Sequence, residues 1–246
     1  MSAPKILALD IETAPHLGYF FGTFNININI DMIMEPTYTL CWAAKWLGEK
    51  KVEFMTCQDE DFIETIWDML NEADAVIHYN GKQFDMKHLN REFLLAGLPP
   101  PSPYKNVDLL STIRTNFKFA SNKLAWTSLE MGYEGKVNHR GIQLWFDCMA
   151  NNANAWKEMK SYNVQDVQLL EEMFEDLKPW ITSLPNYALW TDNEEETCKN
   201  CGSTDMQRRG YQRTAARIYQ RWQCNSCAKW QRSAKQDKRS PKGSMR

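Results

Sequence analysis

The sequence predicts an α/β fold, a mixed sheet flanked by helices, with a small β module after it. Three observations predict this. An apolar run, Ile6-Leu7-Ala8-Leu9, reads as a buried strand. Two strand-like segments then flank Gly48-Glu49-Lys50-Lys51, and helical and strand patterns alternate after them, the order expected of a mixed sheet with helices on it. Near the C-terminus the composition changes, and two Cys-x2-Cys pairs fall in an arginine-rich segment.

The elements follow in order. The first strand ends in Asp10 and Glu12, which period-two alternation places on one face. Residues 13–37 leave it at that end and include Tyr19-Phe20-Phe21-Gly22 and an alternating run from Phe24 to Ile30. They predict either a flap beside the carboxylates or an extra hairpin covering the sheet edge. Thr39–Leu47 and Val52–Cys57 form a β-hairpin. Asp61–Ala73 is an amphipathic helix, Ala75–Tyr79 a strand, and Lys87–Ala96 a helix closed by Gly97, with Pro99-Pro100-Pro101 breaking the chain after it. Val107-Asp108-Leu109-Leu110 reads as a short strand, and helices dominate from Ser111 to Lys178. Leu184-Pro185-Asn186 and the acidic Asp192–Glu196 mark a boundary. The expected organisation is a catalytic body over 1–185, an acidic linker over 186–196, a β module over 197–233 and a basic, disordered tail over 234–246. No internal repeat is visible.

Four carboxylates in three separated segments carry the chemistry: Asp10 and Glu12, Asp85 in HYNGKQFDMKHL, and Asp166 in YNVQDVQLL. Two carboxylates as close as Asp10 and Glu12 repel unless a cation lies between them, and Mg²⁺ or Mn²⁺ prefers oxygen ligands. With Asp166 alongside there are oxygens enough for two ions roughly 3.5–4 Å apart, as in-line phosphoryl displacement requires. Tyr162 precedes Asp166 by one i, i+4 step, so its phenol shares that helical face and can orient a water. Taken singly each residue has a plainer reading: a solvated strand end for Asp10 and Glu12, a helix N-cap for Asp85, a core aromatic for Tyr162. The plain reading needs all these coincidences at once. His78, inside an apolar strand, reads as a hydrogen-bonded core histidine, and His139 as a surface loop residue within possible reach of a phosphate.

In order and context, Asp10-Ile11-Glu12, Asn80-x3-Phe84-Asp85 and Tyr162-x3-Asp166 resemble the Exo I, II and III motifs of DEDD-type 3′–5′ exonucleases of the tyrosine subclass (DEDDy). The second motif has the spacing of family B polymerase proofreading domains, and the resemblance covers roughly residues 5–180. It implies a ribonuclease H-like fold and two-metal hydrolysis. Asp10, Glu12 and Asp166 would ligate Mg²⁺ or Mn²⁺, Asp85 would hold the second ion, often through water, and Tyr162 would position the attacking water. Thr13, Asn80 and Phe84 would contact substrate. The expected activity is removal of nucleotides from DNA 3′ ends. RNase D-like enzymes share the subclass, so an exoribonuclease stays open, as does a nucleic-acid-binding adaptor with a vestigial nuclease domain or a helper in recombination or repair. No polymerase-length segment follows, so any proofreading would act in trans.

Hydrophobic content of 43% and ten tryptophans suffice for a substantial core. No run of 18 apolar residues occurs, so no membrane partner is expected. Met1-Ser2-Ala3-Pro4 leads directly into the first strand, which leaves no room for a signal peptide and predicts a cytoplasmic protein. The net charge of −2 conceals a division: residues 197–246 hold 13 Lys/Arg against 2 Asp/Glu, a charge of +11, leaving −13 on residues 1–196. That asymmetry points to nucleic acid, with a single-stranded DNA 3′ end the expected substrate.

Of the seven cysteines, Cys41, Cys57 and Cys148 read as core thiols. Cys198-x2-Cys201 and Cys224-x2-Cys227 read as two knuckles of a structural Zn²⁺ site, a zinc ribbon, with a disulfide pair as the weaker competitor in a reducing compartment. Arg208, Arg209, Arg217 and Arg221, interleaved with Tyr211, Tyr219, Trp222 and Trp230, offer phosphate contacts and stacking surfaces. Some of those aromatics must serve as the module's own core. A replication or repair protein is the other partner the ribbon would suit.

Overall fold

The computed structural model of the chain describes residues 3–133, 140–191 and 195–237. His139, residues 192–194 of the acidic linker and the tail from 238 onward lie outside the described residues. The body is built on a five-stranded sheet of β1 (Ile6–Thr13), β4 (Thr39–Trp46), β5 (Glu53–Thr56), β6 (Ala75–His78) and β7 (Lys105–Asp108), in the order β5-β4-β1-β6-β7. Between β1 and β4, the two-residue strand β2 (Leu17–Gly18) pairs with β3 (Ile33–Glu35). The β4–β5 hairpin and β1 are antiparallel, whereas β1, β6 and β7 run parallel. Parallel strands need crossovers, and α1 (Phe62–Glu72) and α2 (Asp85–Leu95) supply them.

β1 reads as a continuous apolar run because helices cover both of its faces. Leu7, Leu9 and Ile11 point into a layer with Phe62, Ile66 and Leu70 of α1 and Met86, Leu89 and Phe93 of α2. Ile6 and Ala8 point the other way, onto Leu109 and Ile113 of α3 (Leu109–Asn116) and Val167, Leu170 and Phe174 of α6 (Ala153–Leu177). Truncating any of these large side chains to alanine would cost about 2–5 kcal/mol. The parity of β1 therefore decides what Asp10 and Glu12 meet. As even-numbered residues they continue the face that α6 covers.

α4 (Leu124–Glu130) and α5 (Ile142–Met149) complete the body, and α5 packs on the N-terminal half of α6 through Leu144, Cys148, Met159 and Tyr162. At 25 residues α6 is about 37 Å long at 1.5 Å per residue. Asn152 caps it, its side chain accepting from the N–H groups of Asn154 and Ala155. An ion pair between the nearly buried Lys45 of β4 and Glu171 of α6 pins the helix across the sheet, and Glu171 also accepts from Gly48 N at 3.1 Å. No helix among the described residues is long and apolar enough to cross a membrane.

Several boundaries differ from the sequence reading. Leu109 and Leu110 open α3 instead of ending a strand, because Asp108 accepts from Ser111 N and starts the helix there. α2 begins at Asp85, so this residue occupies the first helical position and Phe84 the cap. Cys57 is exposed, while Cys41 and Cys148 are buried. Within the arm of residues 17–35, β2 and β3 form a separate two-stranded pair that joins no strand of the main sheet. The neck of the arm is closed by Thr37, whose N–H donates to His16 Nδ1 and whose hydroxyl donates to Ala14 O, while Arg91 of α2 donates to Thr37 O.

The C-terminal sheet comprises β8 (Met206–Arg213), β9 (Ile218–Cys224) and β10 (Trp230–Arg232) in the order β10-β9-β8. It is fastened to the C-terminal end of α6, where carbonyl groups lack helical partners. Asn200 Nδ2 donates to Lys178 O at 3.0 Å, and Lys229 Nζ donates to Pro179 O at 3.0 Å and Ile181 O at 2.6 Å.

Candidate active site

Asp10 and Glu12 lie at the C-terminal end of β1, where the register with β4 shifts between Glu12 and Thr13. Such an irregularity re-aims side chains at a strand end. α6 crosses the same face and presents Asp166. One carboxylate oxygen from each of Asp10, Glu12 and Asp166 lies within 4.8 Å of the other two. Asp166 is buried and the other two half-buried. Cys41 stands opposite Glu12 in the register, and burial, then Glu12 and Asp10, hold its thiol well above the usual range. Negative charge is thus concentrated at this point.

Asp85 reaches the site from the other side of β1. Its Oδ1 accepts from Ile11 N at 3.1 Å, and it stands outside the three-carboxylate group. Burial pushes its carboxyl up to about 7, against hydrogen bonds from its own N–H and that of Ile11, with the charge of Asp108 adding to the rise. The loop before Asp85 is set by His78, which is fully buried. His78 Nδ1 accepts from Gly81 N at 3.0 Å, so Nε2 carries the hydrogen and donates to Asn106 Oδ1 at 3.1 Å. Gly81 passes so close that a Cβ there would sit 2.5 Å from His78 Cγ. Asn80 takes a left-handed φ of 69°, which asparagine tolerates, and its N–H donates to Asp108 Oδ1 at 3.0 Å. Phe84 is partly exposed, its ring 4.6 Å from that of His88. Thr13 is half-buried at the end of β1.

Tyr162 is buried one turn before Asp166, its ring edge-on to Trp145 at 6.2 Å. Beside it lies a residue that sequence reasoning missed. Asn163 is fully buried, and its Nδ2 donates to Asp10 Oδ2 at 2.6 Å. Its Oδ1 finds no hydrogen-bond partner among the described residues. The available signal was its i, i+3 step to Asp166, which an asparagine inside a helix does not advertise. Asp108, which orients the Asn80 loop, was also missed.

The donor set fits divalent cations. Three clustered carboxylates, a fourth whose charged form burial disfavours, and an orphaned buried acceptor on Asn163 all gain from a hard cation. The four cysteines fit a different metal. Cys198 and Cys227 Sγ lie 3.6 Å apart and Cys201 and Cys224 Sγ 3.7 Å apart, far beyond a disulfide bond and near the edge of about 3.8 Å of a tetrahedron with Zn–S bonds of about 2.3 Å. Burial first, then the neighbouring thiol of Cys227, pushes Cys198 up to about 11, although Asn200 N–H opposes it. Burial also raises Cys224, but the N–H groups of Cys227 and Ser226 and the thiols of Cys201 and Cys198 together outweigh it and bring that thiol below its usual range. Mixed protonation of this kind resolves into four thiolates when a soft-tolerant cation binds.

The arginine-rich segment is divided by strand register. Arg208 stands opposite Trp222, its guanidinium 5.1 Å from that ring. Arg221 is on the opposite face of β9, while Arg209 lies at the irregularity between Arg208 and Tyr211, and Arg217 in the turn before β9.

No curated protein matches this chain. A family model described as RNase_H superfamily matches residues 37–178, a span that includes Asp85, Tyr162 and Asp166 and to which β1 adds Asp10 and Glu12. That match covers more than half of the sequence, and with the sheet order and helices above it places the chain in the RNase H superfamily.

Proposed function

We propose that this protein is a 3′–5′ exonuclease that hydrolyses DNA phosphodiester bonds from 3′ ends. The observation that carries the reading is the convergence of Asp10, Glu12 and Asp166 within 4.8 Å, with Tyr162 one turn before Asp166 on α6. Membership of the RNase H superfamily supports the coarser part, a nuclease-type hydrolysis of nucleic acid. Asp10, Glu12 and Asp166 would hold Mg²⁺ or Mn²⁺, with Asp85 serving a second ion. What the bound cations supply is a more acidic attacking water and neutralisation of charge on the phosphoryl oxygens.

The remaining work falls to the chain itself. The Tyr162 phenol orients the attacking water on the face of α6 that carries Asp166. Asn163 holds the Asp10 carboxylate in one rotamer through its amide hydrogen. The loop from Asn80 to Phe84, fixed by His78 and Asp108, sets Asp85 against the back of β1 and offers Asn80 and Phe84 to the terminal nucleotide, with Thr13 at the strand end. The four cysteines would hold one structural Zn²⁺, folding the C-terminal sheet into a basic module that assists nucleic-acid binding.

The test is incubation with 5′-labelled single-stranded DNA and matched RNA, in Mg²⁺ and in Mn²⁺, beside Asp10→Ala. The expected result is a DNA ladder shortening from the 3′ end, absent in the variant. A ladder from RNA alone would replace the substrate in this reading. Cleavage undiminished in Asp10→Ala and Asp166→Ala would sink the site.

A further inference from the structure

The register of the C-terminal sheet separates a face that builds the module from a face that does not. Cys224, Trp222 and Ile218 alternate onto one side of β9. On that side Trp222 Nε1 donates to Ser233 Oγ, and Gln231, paired with Trp222, bonds back to Glu196, Thr197 and Lys199. The other side carries Tyr219 and Arg221 of β9 beside Trp230 and Arg232 of β10, with Arg232 directly opposite Arg221. Each guanidinium lies over the aromatic ring of the other strand: Arg232 is 4.4 Å from the centre of Tyr219 and Arg221 4.9 Å from that of Trp230. The result is a chequerboard of cations and rings on one face of the sheet, with Trp230 nearly half exposed. A stacked guanidinium keeps its in-plane N–H groups for phosphate oxygens, and in Arg221, whose Nε donates to Arg209 O at 2.9 Å, the two terminal nitrogens serve.

Through Trp230 this face adjoins a pair of depressions that lead towards the loop before Asp85. The loop that ends in Asp85 forms one wall of a cleft of about 560 Å³, lined by Asn80, Lys82, Arg114 and the exposed ring of Trp180. Thr182 is shared between that cleft and a second depression of about 300 Å³ whose lining includes Lys199 and Trp230. The route thus passes cationic and aromatic side chains from the Asp85 loop to the chequerboard. Residues 1–196 carry −13 and residues 197–246 carry +11, so a polyanion leaving the carboxylates is attracted towards the C-terminal segment.

We propose that Tyr219, Arg221, Trp230 and Arg232 form a remote grip for single-stranded nucleic acid, reached from the carboxylate site along this cleft. The direction of the strand rests on the exonuclease reading above; the grip itself does not. Stacking rings alternating with phosphate-binding groups suit an unpaired strand, whose bases are free to stack. The grip makes binding depend on length: a short oligonucleotide occupies the carboxylate site alone, and a longer one engages both.

The test measures binding of fluorescent oligo(dT) of about 6 and about 20 nucleotides, a range set by site sizes of single-strand binders, to the full chain carrying Asp10→Ala. Cleavage of the same oligonucleotides is followed with Asp10 intact. The longer oligonucleotide should bind more than tenfold tighter. Arg221→Gln with Arg232→Gln should remove about tenfold of that advantage and flatten the log–log salt dependence by about 1.4, at about 0.7 per phosphate contact on a single strand. Trp230→Ala should weaken the long oligonucleotide similarly, and none of these variants should change cleavage of the short one. Arg213→Gln, on the opposite face, should leave the length advantage intact, with zinc content reporting that each variant is folded. An unchanged length advantage in the double variant overturns the grip, as does an equal loss in Arg213→Gln, which would mean charge without a face. Preference for poly-glutamate over oligo(dT) overturns it in favour of an acidic protein partner. Cleavage of neither oligonucleotide, with the length advantage still lost in the double variant, removes the exonuclease reading and leaves the grip standing.

Discussion

Asn163→Ala separates positioning from folding more cleanly than any change to a carboxylate. The substitution removes a hydrogen bond of 2.6 Å from a fully buried amide to the Asp10 carboxylate. A bond to a charged group contributes about 1.5–3 kcal/mol. The same amide buries an Oδ1 with no partner among the described residues, and an unsatisfied buried acceptor costs about 1–3 kcal/mol. Deleting both groups makes the two contributions oppose, so net destabilisation should be about 1 kcal/mol. The effect on cation binding has no such compensation. Asp10 loses the partner that fixes its rotamer, and loss of a group orienting a metal ligand weakens affinity about 10–100-fold, or about 1.4–2.8 kcal/mol. The assay is the Mn²⁺ concentration giving half-maximal cleavage, measured beside the urea midpoint without metal. A wild-type Mn²⁺ requirement in a folded variant would refute the reasoning, and an unfolding free energy lower by several kcal/mol in the urea titration would show Asn163 to be structural instead.

Other consequences follow from the same geometry. Gly81→Ala puts a methyl against the buried, doubly bonded His78 ring, so the loop carrying Asp85 must shift; the variant should lose about 1–3 kcal/mol in urea titration and most of its activity. Burial keeps His78 below its usual pKa of about 6.5, although Asp108 and Asn106 oppose the shift. The unfolded chain therefore binds this proton first, and stability present above about pH 6.5 should decline as the pH falls towards the lower folded-state value. An NMR titration should find the His78 ring still neutral at pH 6.5, and a midpoint at or above that pH would contradict its assigned hydrogen bonds. Cys224→Ser, or a strong zinc chelator, should release one equivalent of Zn²⁺ and unfold the C-terminal sheet, read from tryptophan fluorescence of Trp222 and Trp230. Full retention of the spectrum would show that the sheet does not need the metal.

How much was legible in the sequence depends on the range of each relationship. Strand alternation over three residues put Asp10 and Glu12 on one face, and one helical turn put Tyr162 with Asp166, because backbone periodicity fixes both. The Cys-x2-Cys pairs likewise announced a four-sulfur centre, and the apolar run of β1 announced a strand covered on both sides. The short-range misreadings came from side chains that override propensity, such as Asp108 starting a helix one residue after a strand. What tertiary structure alone decided is which helix covers which face. α6 crosses the even-numbered face of β1 and so brings Asp166 and Asn163 onto Asp10, whereas α2 covers the odd-numbered face and delivers Asp85 behind Ile11. Strand register made the same kind of decision in the C-terminal sheet, sending Arg208 and Trp222 to one side and Arg221 to the other. Periodicity specifies the faces of each element, but only packing between elements far apart in sequence specifies which faces meet.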